Sequence, residues 1–270
     1  MYALKGKIAV VTGAGSGIGR ALAQLLAAKG CRLALADVNA DSLNQTAALL
    51  PSPPLLQTLD VSDRAAVYAF AERVKHELGT AHIVINNAGV AVSQTVAELR
   101  YEDFEWLMGI NFWGVVYGTK AFLPLMTAQN DGVMVNISSV FGIIAVPTQS
   151  AYNAAKFAVR GFTEALRHEL AGSGVRAICV HPGGIKTNIA ASARFYVDPD
   201  GISDQKKAVA HFAKMARTTP EQAAQTIVDG IEQGRERVLI GGDARLIDLI
   251  QRLMPVNYWK PMQALMKAMR

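Results

Sequence analysis

The feature that most constrains this chain is a repeated switch of hydrophobic period. Short apolar, β-branched runs alternate with longer amphipathic stretches along most of its length. The first run, residues 7–12 (KIAVVT), enters a glycine-rich turn at 13–19 and then a helical stretch at 20–29, closed by Gly30. Further strands are expected at 32–36, 55–59, 83–85, 133–137, 176–180 and 237–240. Helices are expected at 40–50, 63–78, 101–127, 150–170 and 220–233. Continuous apolar strands suit burial on both faces of a parallel sheet. Alternation at this spacing specifies βαβ units, and right-handed crossovers then wind the sheet doubly. The expectation is a single-domain, doubly wound α/β fold with helices on both faces.

In such a sheet, ligands bind beyond the carboxyl ends of the strands. Gly13 to Gly19, Asp37, Asp60, Asn87 to Gly89, Ser139 and Pro182-Gly183 all fall at such ends. Gly13, Gly17 and Gly19 are spaced G-x-x-x-G-x-G, with Ser16 and Ile18 between them. That differs from the G-x-G-x-x-G fingerprint, but the physics is shared. Glycines permit the tight turn, and backbone N–H groups at a helix start attract a pyrophosphate. Glycines serving only a sharp turn is the competing reading. Asp37 stands twenty residues after Gly17 at a strand end, where its carboxylate can accept hydrogen bonds from ribose hydroxyls and repel a 2′-phosphate. Val38, Asn39 and Ser16 offer no cation in compensation, so NAD is expected over NADP. Otherwise Asp37 merely caps the next helix.

Tyr152 and Lys156 stand one helical turn apart on one face, and Ser139 lies at the end of the 133–137 strand. An ammonium beside a phenol lowers its pKa, so Tyr152 is expected to exchange a proton with an alcohol or carbonyl oxygen held by Ser139. A lone Y-x-x-x-K also arises by chance in many helices.

Composition narrows the alternatives. The 270 residues carry a net charge of +5 without a block of like charges, which argues against a nucleic-acid partner. Cys31 and Cys179 sit in apolar runs as expected of buried reduced thiols, and the five histidines lack metal-ligand spacing. No apolar run reaches the length of a membrane span, and no leader precedes the first strand, so a cytoplasmic protein is expected.

Taken together, T-G-x-x-x-G-x-G at 12–19, N-N-A-G at 86–89, Ser139, Y-x-x-x-K at 152–156 and P-G-x-x-x-T at 182–187 resemble the short-chain dehydrogenase/reductase family. The likeness covers roughly residues 5–240 and implies a Rossmann-like domain. It implies Tyr152 as general acid/base and Ser139 as the group polarising the substrate oxygen. Lys156 would lower the Tyr152 pKa and bind the nicotinamide ribose, and Asn111 would hold a water in a relay through Lys156. The cofactor set would comprise Gly13, Ser16, Gly17, Ile18, Gly19, Asp37, Asp60, Val61, Asn87, Ala88, Gly89, Tyr152, Lys156, Pro182, Gly183, Ile185 and Thr187. A homodimer or homotetramer paired through the helices carrying Asn111 and Tyr152 is implied as well.

The catalytic domain is expected over 1–242, with a substrate lid at about 188–219. Phe195, Tyr196, Val197, Phe212 and Met215 of the lid, with Val140, Phe141, Ile143, Ile144 and Val146, suggest a hydrophobic secondary alcohol or ketone as substrate. A helical extension is expected over 243–270. Its stripes (Leu246, Ile247, Ile250, Leu253; Trp259, Met262, Met266, Met269), with Lys260, Lys267 and Arg270 nearby, admit three roles: packing on a subunit, covering the pocket, or meeting an anionic membrane. Two other functions stay open, a catalytically silent dinucleotide sensor or scaffold and a membrane-peripheral dehydrogenase of lipid-, steroid- or retinol-like alcohols.

Overall fold

The computed structural model describes residues 1–199 and 201–268. Met269 and Arg270, and the side chains of Met266 and Lys267, lie outside what is described. In chain order the elements are β1 (Ile8–Thr12), α1 (Gly17–Ala28), β2 (Arg32–Asp37), α2 (Ala40–Ala47), β3 (Leu55–Thr58), α3 (Arg64–Leu78) and β4 (Ile83–Asn86). There follow β5 (Val92–Ser93), α4 (Tyr101–Met108), α5 (Gly114–Ala128), β6 (Gly132–Ile137), α6 (Ser150–Glu169) and β7 (Val175–Pro182). The chain ends with β8 (Arg194–Phe195), α7 (Gln205–Met215), α8 (Pro220–Glu232), β9 (Arg237–Ile240), α9 (Gly242–Leu253) and α10 (Trp259–Ala268).

Seven strands form one sheet in the order β3-β2-β1-β4-β6-β7-β9, and every pairing is parallel. Strand alternation sends β1 side chains to both faces. Ala9 and Val11 join the core against α1 and α8, whereas Ile8 and Val10 join the core against α3 and α5. Burial on both sides is why these strands read as unbroken apolar runs. On the second face Phe70 and Phe122 meet edge-on, with ring centroids 5.9 Å apart, and lock α3 to α5.

The expected single helix over 101–127 is interrupted. Residues Gly109–Trp113 form a π-helical turn between α4 and α5, and Asn111 sits within it. Gly114 then lets α5 press on the strand rim, since a Cβ there would lie 2.8 Å from Val61 Cγ2. Helical periodicity does not register one extra residue in a turn, so the break is invisible in the pattern.

The expected lid segment holds β8 and α7. β8 pairs with β5 as a two-stranded parallel patch outside the main sheet, too short for alternation to reveal. α7 contains no buried residue and lies as an outer cover. Cys31 and Cys179 are free and buried. Among the described residues no helix is long and apolar enough to cross a membrane, and no His, Cys, Asp or Glu cluster could hold a metal ion.

Candidate active site

The carboxyl ends of β1, β2, β4, β6 and β7 bring the rim together. Gly13 has φ +64°, and a Cβ there would stand 2.8 Å from Ala88 Cα, so glycine is required both for the turn and for the approach of the 86–89 segment. Asn87 ties the two, with Nδ2 donating to Thr12 O (2.9 Å) and Gly13 O (3.2 Å). Gly17, at φ +50°, opens α1. Ser16 precedes it without a side-chain cap, and the first turn carries no acidic residue. The leading N–H groups of α1 are therefore not claimed by a side-chain cap, as a pyrophosphate site requires. Thr187 lies across the loop, 3.1 Å from a Cβ built on Gly17, and buried Ile185 pairs with Thr218 beside it.

Asp37 is turned into the loop. Gly15 N–H donates to its Oδ2 at 2.8 Å, and Asn39 N–H donates to its Oδ1 at 2.9 Å. The cap of α2 is Asn39, whose side chain accepts from Ser42 N–H, so Asp37 does not fill the capping role. One cation escaped the sequence reading. Arg20 donates to Gly15 O and to Thr46 Oγ1 (3.0 Å), so a guanidinium backs the same corner that Asp37 faces. It is one turn into α1, and only folding brings it behind the loop. Farther out, Asp60 is exposed and accepts from Ser62 N–H (2.9 Å) and Ser62 Oγ–H (2.7 Å), while Val61 packs beneath Gly114.

Ser139, Tyr152 and Lys156 converge where β6 ends and α6 begins. Ser139 is 8% exposed and caps a single 3-10 turn, Val140–Gly142, with Oγ accepting from Phe141 N–H at 3.1 Å. Lys156 is buried; its Nζ donates to Ile137 O at 2.9 Å and lies 5.6 Å from the centre of the Tyr152 ring. Ser138 Oγ donates to Lys156 O at 2.8 Å, which ties the strand end to the helix. Below them Asn86 Nδ2 donates to Asn136 Oδ1 (2.8 Å), and Asn136 Nδ2 donates to Thr163 Oγ1 (3.0 Å), linking β4, β6 and α6. The turn into α6 is strained, since Thr148 adopts φ +63° and is held by Gln94 N–H donating to its carbonyl at 2.9 Å.

Asn111 is fully buried. Its Oδ1 accepts from Val90 N–H and its Nδ2 donates to Val90 O, both at 2.8 Å. A Cβ at Gly89 would lie 3.3 Å from Asn111 Oδ1 and 3.7 Å from Lys156 Nζ, so the two side chains flank that glycine. His181, another residue without a sequence signal, is fully buried on β7, and its Nδ1–H donates to Ser139 O at 3.0 Å. Burial pushes its pKa down to about 4, so it is a neutral donor fixing the β6 end.

The pKa of Tyr152 departs from the sequence expectation. Burial raises it to about 12, and the hydrogen bond with Ser139 offsets this only in part. Burial also lowers Lys156 to about 8. Desolvation disfavours the charged form of each group. Of the apolar residues after Ser139, Val140, Ile143, Ile144 and Val146 are buried in a cluster with residues of α9 and α10. Phe141 alone meets Tyr152, edge-on at 6.0 Å.

The segment at β8 is latched to α4 by groups far apart in sequence. Asp103, only 4% exposed, accepts from Arg194 Nη1 and from Tyr196 Oη, both at 2.8 Å. The Arg194 guanidinium also lies 3.7 Å from the centre of the Trp106 ring.

Comparison with known proteins agrees with this geometry. The short chain dehydrogenase family model matches residues 7–195. SadH of Mycobacterium tuberculosis, which carries an oxidoreductase name, is 50% identical over 263 residues, covering 96% of this chain and 94% of that protein. A short chain dehydrogenase/reductase from Burkholderia phymatum in complex with NAD superposes with a TM-score of 0.87 at 30% identity, over 94% of this chain and 95% of the other. An alcohol dehydrogenase from the archaeon Thermococcus sibiricus, complexed with 5-hydroxy-NADP, superposes with a TM-score of 0.75 at 25% identity, over 87% and 96% of the two chains.

Proposed function

The chain belongs to the short chain dehydrogenase family, an oxidoreductase family that binds NAD(P), and we propose that it interconverts a hydrophobic secondary alcohol and its ketone with NAD as the preferred cofactor. The observation that carries this reading is the convergence of buried Ser139 and Lys156 with partly buried Tyr152 in one corner where β6 ends and α6 begins. The bound nicotinamide supplies the hydride acceptor for alcohol oxidation, or the donor for the reverse reaction. The chain's own residues manage the oxygen and the proton. Ser139 Oγ donates a hydrogen bond to the substrate oxygen, and Tyr152 Oη takes the hydroxyl proton during oxidation or returns it during reduction. Lys156, held by Ile137 O, presents its ammonium to the developing phenolate and to the ribose. Since the Asn111 side chain is committed to Val90, its main-chain carbonyl in the π turn is the group to hold a relay water.

Cofactor residues follow the same rim. Gly13, Ser16, Gly17, Ile18 and Gly19 would cradle the pyrophosphate, and Asp37 would take the adenosine ribose. Asp60 and Val61 would border the adenine, Asn87, Ala88 and Gly89 would form the floor, and Pro182, Gly183, Ile185 and Thr187 would hold the carboxamide. Asp37 favours NAD through repulsion of a 2′-phosphate. Phe141 and the lid's Phe195 supply apolar surface for the substrate. Exposed Trp113 beside α5 and Phe157 on α6 supply a face for pairing subunits.

The test is absorbance at the reduced-nicotinamide band while NAD and then NADP are offered with secondary alcohols of increasing size. Turnover is expected with NAD, and Tyr152→Phe should lose on the order of 100- to 10,000-fold in kcat while still binding NAD. Near wild-type turnover in that variant would refute the assigned proton transfer.

A further inference from the structure

The C-terminal helices fold back onto their own chain at the edge of the site. Ala244 and Ile247 of α9 and Met262 of α10 are at most 8% exposed, and they pack with Val140, Ile143, Ile144 and Val146, the residues that follow Ser139. Tyr258 and Trp259 pack against the same cluster. Two polar anchors accompany the apolar contact. Ala145 N–H donates to Tyr258 Oη at 3.0 Å, which grips the loop after β6. Gly184 N–H donates to Asp243 Oδ2 at 2.6 Å, which grips the turn after β7. Both gripped segments belong to the rim that carries the proposed catalytic and carboxamide residues.

The loop after Ser139 has little regular structure to hold it. The amides of Gly142, Ile143 and Ile144 donate only to Ser139 O and Val140 O within the same turn. Its inner side is held by α6, with Asn153 Nδ2 donating to Val146 O at 2.9 Å and Arg160 Nη1 to Gly142 O at 3.4 Å, and its outer face is covered by α9 with α10. Contact continues inward through Phe141, whose ring stands at 88° to that of Tyr152.

We propose that the C-terminal helices are a positioning element of the active site: Tyr258, Trp259 and Met262 seat the 140–146 loop so that Phe141 fixes the Tyr152 ring, and Asp243 seats the 182–184 turn. The assignment rests on Tyr152 as the acid/base of the proposed reaction. It selects the first of the roles open to the tail, packing on its own subunit, in a specific form. The tail acts on the site through the loop and turn it holds.

The test compares full-length Met262→Ala, Met262→Leu and Tyr258→Phe with the wild-type protein, reading kcat, KM, the Kd for NAD and amide hydrogen exchange over 139–146. Met262→Ala should lower kcat by about tenfold, since a misplacement of about 1 Å costs up to ~100-fold. The Kd for NAD should stay within about twofold, and the loop amides should exchange about tenfold faster while those of β1 and β4 keep their protection. Met262→Leu restores the volume and should restore kcat. Tyr258→Phe removes a single oxygen, so it carries the test if Met262→Ala fails to fold, and it should speed exchange of the Ala145 amide. Unchanged loop exchange in the folded variants overturns the proposal, and so does faster exchange with unchanged kcat. Loss of NAD affinity in parallel with kcat overturns it too, because that reports general loosening. A wild-type protein that turns over no member of the alcohol panel refutes the reaction instead, and the seating of the loop is then judged on exchange alone.

Discussion

Lys156→Met is expected to make the protein more stable at neutral pH while nearly abolishing turnover. Burial lowers the lysine from its ordinary 10.5 to about 8, so keeping the ammonium charged in the fold costs about 3 kcal/mol at pH 7. Methionine has a similar length and no charge, and removes that cost. It also removes the 2.9 Å hydrogen bond to Ile137 O, a charge-assisted bond worth about 1.5–3 kcal/mol. The net gain is on the order of 1 kcal/mol, or about 2–4 °C in Tm for a domain of this size. The pH dependence separates the two contributions. The folded pKa lies below the unfolded one, so between about pH 8 and 10.5 the unfolded chain binds more protons and wild-type stability climbs. The advantage of methionine should therefore be greatest below pH 8 and vanish or reverse by pH 10.5. Tyr152, raised from 10.0 to about 12, loses its stabilising contribution only as pH rises from 10 toward 12, above the range compared. Urea unfolding of both chains from pH 6 to 10 reads this directly. A variant less stable than wild type by 1 kcal/mol or more at pH 7, with a difference that does not move with pH, would refute the desolvation argument.

Two further outcomes follow from named contacts. Asp37→Ser keeps a small acceptor near Gly15 N–H but removes the charge, so the NADP-to-NAD ratio of kcat/KM should rise by roughly 10- to 100-fold; equal losses with both cofactors would assign Asp37 to loop structure alone. Asp103→Leu removes the acceptor shared by Arg194 and Tyr196, and because the Arg194 side chain stays exposed to water the cost should be only about 1 kcal/mol. Limited trypsin digestion should then cut first within 188–219, and a cleavage pattern identical to wild type would show that the latch does not hold the lid.

Local order and the geometry of the glycine turn were legible because they arise from near neighbours in the chain. An unbroken apolar run such as residues 7–12 has to be a buried parallel strand, and Gly13 and Gly17 announce a turn that other residues could not make. The same locality places Tyr152 and Lys156 on one helical face. What the pattern could not contain is whatever depends on distant segments. The π turn that holds Asn111 differs from an ordinary helix by a single residue, and its side chain is satisfied by Val90, twenty-one residues away. Arg194 finds Asp103 across ninety-one residues, and Tyr258 finds Ala145 across 113.

The sequence by itself determined the doubly wound sheet and the residues at its strand ends, because hydrophobic period and turn chemistry are written in adjacent side chains. Tertiary structure alone decided that Val140, Ile143, Ile144 and Val146, which follow Ser139, pack with α9 and α10. It also decided that Tyr152 and Lys156 are shifted toward their neutral forms. Burial is set by everything packed around a group, and desolvation disfavours its charged form whatever stands near it in the sequence.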